Sequence, residues 1–141
     1  MKYLLILFST LILASCSKEP QAINYGKDAC ENCRMTIIDK KFGGELINSK
    51  GKTLKFDSGE CMLKYLSSHH EFKVSKIMIV DYSNPGILME ADKAIYLQGG
   101  NINSPMGGNL AAFATNEEAE KAKQLVGGNI NLWKAISHLE F

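Results

Sequence analysis

The sequence predicts an α+β fold made of a tandem of two small ββαβ-like units. Three observations lead there. Short β-branched or alternating apolar runs recur along the chain, each bounded by Gly, Asn or Pro. Two of these runs lead into a Thr or Asp set three residues before a glutamate, the spacing that opens a helix. The order of strand, capped helix and further apolar element occurs twice, and each set is too small to bury a core alone.

The elements follow in order. Met35-Thr36-Ile37-Ile38 is a short β-branched run, and residues 39–43 read as a turn. Gly44-Glu45-Leu46-Ile47-Asn48 alternates as a strand does, residues 49–52 form a turn with Gly51 in it, and Thr53-Leu54-Lys55-Phe56 is the return strand. Asp57 stands three before Glu60 and predicts a cap for a helix over residues 58–68, with Met62, Tyr65 and Leu66 on one face. Residues 76–82 are the clearest strand, broken by Ser83-Asn84-Pro85-Gly86. In the second half, residues 91–97 and 110–114 read as strands, separated by a Gly/Asn loop. Thr115 stands three before Glu118, opening a helix that stops at Gly127-Gly128. Leu132, Trp133, Ile136 and Leu139 suit a short closing amphipathic helix over residues 130–141.

The first residues predict export. Lys2 precedes an apolar run over residues 4–14 that ends in Leu13-Ala14-Ser15-Cys16. A charged start, a short apolar stretch and small residues at the cut describe a signal peptide, and the run is shorter than the roughly 20 residues of a membrane span. The tetrad is similar to a bacterial lipoprotein box, in which Cys16 carries the lipid. The expected organisation is a leader at 1–15, a lipidated tether at 16–27, and a folded domain at 28–141, with units at about 30–84 and 87–141. A tethered domain outside the cytoplasm works where disulfides are allowed.

Composition narrows the function. The 141 residues are 45% hydrophobic and 22% charged, a globular balance. Lys+Arg total 16 against 15 Asp+Glu, which argues against nucleic acid as a partner. No serine sits in a hydrolase-like elbow, no histidine adjoins a nucleophile, and no paired carboxylates stand out, so an enzyme is not expected. The distinctive chemistry is sulfur. Cys30, Cys33 and Met35 lie within one short segment, and Met106 sits in the loop Ser104-Pro105-Met106-Gly107-Gly108. Thiolate and thioether are soft donors that favour Cu(I), whereas zinc sites rarely use Met. Cys61, in the first turn of the predicted helix, reads first as a small buried apolar residue and only second as a ligand, although a helix start favours thiolate. Met62, Met78 and Met89 read as core.

The ordered set as a whole resembles a family. Behind Cys16 come Tyr25-Gly26-Lys27-Asp28, Cys30-x-x-Cys33-x-Met35-x-Ile37, Lys55-Phe56-Asp57-Ser58 leading into Cys61-Met62-Leu63, Val80-x-Tyr82, Ala94-x-Tyr96, Pro105-Met106-Gly107, Ala112-Phe113 and Gly127-Gly128. This is similar to the NosL family, accessory lipoproteins of nitrous oxide reductase. The resemblance implies a membrane-anchored Cu(I) chaperone of the cell envelope, facing the periplasm, that delivers copper to the apo reductase of denitrification or its maturation machinery. It implies a tandem ββαβ fold related to that of the organomercurial lyase MerB. Carried over by position, Cys30, Cys33, Met35 and Met106 are the metal candidates; the family's histidine donor matches no motif here. Two readings stay open beside it: a thiol–disulfide oxidoreductase using Cys30 and Cys33, and a structural lipoprotein in which that pair is a disulfide.

Overall fold

The computed structural model describes residues 19–139. The expected leader, the lipidation residue Cys16 and the start of the tether lie outside them. Among the described residues, no helix is long and apolar enough to cross a membrane.

The first hairpin pairs β1 (Gly44–Asn48) with β2 (Thr53–Phe56) in antiparallel register, Leu46 opposite Leu54. Asn48 fixes the turn, its Oδ1 accepting from the N–H groups of Lys50 at 3.0 Å and Lys52 at 2.9 Å. Helix α1 (Gly59–Ser68) follows, then β3 (Val74–Val80) and β4 (Leu88–Glu90). The second half supplies β5 (Ile95–Gln98), β6 (Leu110–Phe113), α2 (Asn116–Val126), β7 (Asn129–Leu132) and the short α3 (Trp133–Ile136). The sheets run β2-β1-β3-β4 and β6-β5-β7. The ββαβ path is thus traced twice with the same strand order, and β4 is an addition to the first sheet.

Neither half closes on itself. Alternation along β5 and β6 sends Tyr96, Leu110 and Ala112 into a core shared with α1 and the first sheet. It sends Leu97, Ala111 and Phe113 to the opposite face, against Ala119 of α2. Strand β6 is therefore buried on both sides, which is why it reads as a continuous apolar run. Phe42, from the segment before β1, crosses into the second core beside Tyr82, which in turn meets Phe113 at 5.4 Å between ring centroids. At Gly44 helix and strand come so close that a Cβ would meet Met62 Sδ at 2.9 Å. Helix α2 stops where Gly127 takes φ +77 and donates its N–H to Lys123 O at 2.8 Å.

Four expectations are corrected. The cap of α1 is Ser58, whose Oγ accepts from the Cys61 N–H, because Asp57 turns its side chain to Cys33 instead. The strand placed at 76–82 runs Val74–Val80; Asp81 and Tyr82 leave the sheet to reach β6, with Tyr82 N–H bonded to Ala112 O. The strand expected at 91–97 is two elements, because residues 91–94 turn, with Lys93 N–H bonded to Glu90 O at 3.2 Å. The closing helix is mostly strand: Asn129-Ile130-Asn131-Leu132 alternates, and period two wins because β5 needs a second partner. Only Trp133–Ile136 is helical there.

Candidate metal centre

The Cys-x-x-Cys segment is the tip of a tight, irregular hairpin. Ala29 bridges to Thr36, Cys30 N–H bonds to Met35 O at 2.8 Å, and Ile37 N–H bonds to Asp28 O at 2.9 Å. Arg34 turns the corner at φ +66, its N–H on Cys30 O. Two contacts dock this hairpin on β2. Glu31 N–H bonds to Lys55 O at 2.8 Å, and Lys55 Nζ meets Asp28 Oδ2 at 2.7 Å. That pairing holds the Asp28 carboxyl below its ordinary range. The hairpin tip therefore lies where β2 ends and α1 begins, at Asp57-Ser58-Gly59-Glu60-Cys61.

The result is a cluster. Sγ of Cys30, Cys33 and Cys61 and a carboxyl oxygen of Asp57 all lie within 4.8 Å of one another. All three thiols are free. Cys30 and Cys61 are 0% and 1% exposed, while Cys33 is half-buried. Cys33 Sγ donates to Asp57 Oδ2 at 3.3 Å, and Asn32 Nδ2 donates to Cys61 Sγ at 3.5 Å. Asp57 Oδ1 is buried without a hydrogen-bond partner, an orphaned acceptor that a cation would satisfy.

The electrostatics single out one thiolate. Cys30 is drawn down to about 6, first by the hydrogen bond it receives from the Cys61 thiol, then against burial by the N–H groups of Cys33, Asp57 and Asn32. Cys61 moves upward for the reciprocal reason, since it keeps the proton that it shares with Cys30, and burial adds to this. Burial first, and then the Cys30 and Asp57 partners, push Cys33 up to about 11. One thiolate, two polarisable thiols and a free carboxyl oxygen form a donor set that fits a single soft cation.

The two candidate methionines line clefts that also touch residues of this cluster. Met35 is 52% exposed, on a cleft of about 300 Å³ that it shares with Asp57 and Pro105. Met106 is 41% exposed, on a second cleft of about 240 Å³ shared with Glu60 and Cys61. The loop carrying Pro105 and Met106 contributes to both clefts, Pro105 to the first and Met106 to the second. Met62 and Met78 are core, as expected, and Met89 packs against it. His69 is engaged elsewhere, stacked on Tyr65 at 3.9 Å, and the cluster holds no histidine.

Asp57 was not anticipated as part of the site. Its signal is the spacing Asp57-x-x-x-Cys61 across a Ser58 cap. A residue just before the cap and one at the third helical position sit on the same side of a helix start.

The NosL family model matches residues 21–140. The chain is similar in structure to the copper chaperone NosL from Shewanella denitrificans, with a TM-score of 0.73 and 22% sequence identity over 88% of this chain and 97% of that one. No match was found among curated proteins.

Proposed function

The chain belongs to the NosL family, and on that premise we propose that it carries Cu(I) and delivers it for maturation of the copper centres of nitrous oxide reductase. Cys30, Cys33 and Cys61 hold the ion, and Met35 and Met106 are thioethers at its two approaches. Cys16, lipidated, ties the domain to the membrane on the periplasmic side. The observation that carries the reading is the meeting of three thiols and a carboxyl oxygen of Asp57 within 4.8 Å of one another.

The copper ion is cargo, so the site must release it. Two buried thiols exclude water and free copper. Cys33 and the exposed thioethers give a recipient's ligands an edge to attack, one bond at a time, while the outgoing bonds are still being lost. A membrane tether raises the effective concentration of a partner on the same membrane. Exchange of disulfides fits less well: a redox dithiol presents its attacking sulfur at a helix start, whereas Cys30 is fully buried in a hairpin.

The test is an anaerobic titration of the reduced protein with Cu(I) against a competing chelator. The expected result is tight uptake of one Cu(I) per chain and weaker binding of zinc. No uptake, or a preference for zinc, contradicts the reading.

A further inference from the structure

We propose that Glu60 is a positioning residue that holds the Met106 thioether at the thiol cluster by tying the loop of the second unit to the helix that carries Cys61. The inference rests on the copper reading above and deepens it.

Glu60 is the second residue of α1, next to Cys61, and is only 2% exposed. Acidic residues are favoured in a first helical turn because they face the helix dipole from the solvent side. Glu60 turns the other way. Its Oε1 accepts from Ser104 Oγ and from the N–H of Leu110 at 3.2 Å. Ser104 Oγ in turn accepts from the N–H of Asn109 at 2.9 Å. One carboxyl oxygen thus gathers both ends of the Ser104–Asn109 loop, and Met106 lies between those ends. The loop needs such a clamp: Gly107 and Asn109 both take left-handed backbone, φ +73 and +54, and the second is strained for a residue with a side chain.

Capping alone does not account for the arrangement. Ser58 already caps α1. The other oxygen of Glu60 is buried without a partner, and Glu60 lines the cleft that Cys61 and Met106 share. Half-satisfied buried carboxyls weaken a fold. The equivalent residue of α2, Glu117, is exposed and paired with Lys121 at 2.7 Å. The inward Glu60 joins the two units beside the cleft that Cys61 of the first and Met106 of the second both line.

The experiment is a double-mutant cycle on the full chain, reading Cu(I) affinity by chelator competition and folding by thermal melting. Met106→Leu and Glu60→Ala are each expected to weaken Cu(I) by about 10–100-fold, the usual effect of losing a residue that supports a metal site. The double variant should be no weaker than the weaker single. Glu60→Gln keeps an acceptor oxygen and should restore binding. At the copper edge, Glu60→Ala and Met106→Leu should lose the same sulfur neighbour. If Glu60→Ala does not fold, Ser104→Ala, which removes one hydroxyl, carries the same cycle. Unchanged affinity in Glu60→Ala, or losses that multiply in the double variant, overturns the proposal. An unaffected Met106→Leu in a chain that still binds Cu(I) overturns it too, with the copper reading intact. A wild-type chain that binds no Cu(I) is instead the failure of that reading.

Discussion

Helices α1 and α2 occupy the same place in two copies of one topology, yet only α1 carries a member of the thiol cluster. Each begins three residues after a strand ending in phenylalanine, Phe56 or Phe113, and each is capped by a hydroxyl, Ser58 or Thr115, accepting from the third helical N–H. In α2 that third residue is Glu118, whose carboxyl bonds back to the Thr115 hydroxyl at 2.9 Å, and Ala119 is its buried residue. In α1 the third residue is Cys61, and the whole first turn, from Gly59 to Leu63, is buried. Of the buried polar residues, Glu45, Asp57, Ser58, Glu60 and Asp81 belong to the first half, and Ser104 alone to the second. The comparison teaches that a repeated scaffold can keep the same hydroxyl cap in both copies while only one buries the turn that follows and places a thiol in it.

The sharpest way to break that comparison is to exchange the two third positions. Cys61→Ser should weaken Cu(I) binding by more than the roughly 100-fold that a lost supporting residue costs, while Glu118→Ser should leave it unchanged; chelator competition measures both. A loss in both helices would dissolve the contrast. Next in size is support itself. Phe113→Ala, in the doubly covered sheet, should cost about 3–5 kcal/mol in urea unfolding, whereas Leu125→Ala, at an exposed position of α2, should stay within about 0.5 kcal/mol of wild type.

The caps give a smaller and more discriminating effect. Ser58→Ala and Thr115→Ala should each cost about 1 kcal/mol of stability. Only Ser58→Ala should also weaken Cu(I), because its hydroxyl fixes the N–H of Cys61. The smallest effect is a slope in pH. Glu45 of β1 is fully buried, and desolvation raises its carboxyl above the ordinary value. Between the ordinary value and the raised one, the folded chain holds a proton that the unfolded chain has released, so stability falls as pH rises through that window. Glu45→Gln should flatten this slope in urea titrations across mildly acid pH; an unchanged slope removes Glu45 as its source.

The fold was largely readable where local signals agreed. Gly44–Asn48, Thr53–Phe56 and the Thr115-capped helix announce themselves by alternation, by a turn containing Gly51, and by the Thr115/Glu118 spacing. Signals that depend on a neighbour were missed. Strand β7 exists because β5 has a free edge, and its Ile130 and Leu132 also suit a helical face. The cap of α1 falls one residue later than its spacing suggests, because Asp57 imitates a cap in sequence and its side chain is claimed by Cys33 in space. For the site, Cys30 and Cys33 were legible as a thiol pair from their spacing alone. Cys61 and Asp57 join them only through the docking of a hairpin tip on β2, a contact made by the backbone of Glu31 and Lys55 that no side-chain pattern records.

X-ray absorption at the copper edge of the anaerobic Cu(I) protein tests the central claim most directly, since it identifies the atoms around the ion. The account predicts neighbours dominated by sulfur, with no imidazole scattering, and a loss of sulfur in Cys30→Ser. An ion surrounded by nitrogen, or a spectrum that Cys30→Ser leaves unchanged, would contradict it.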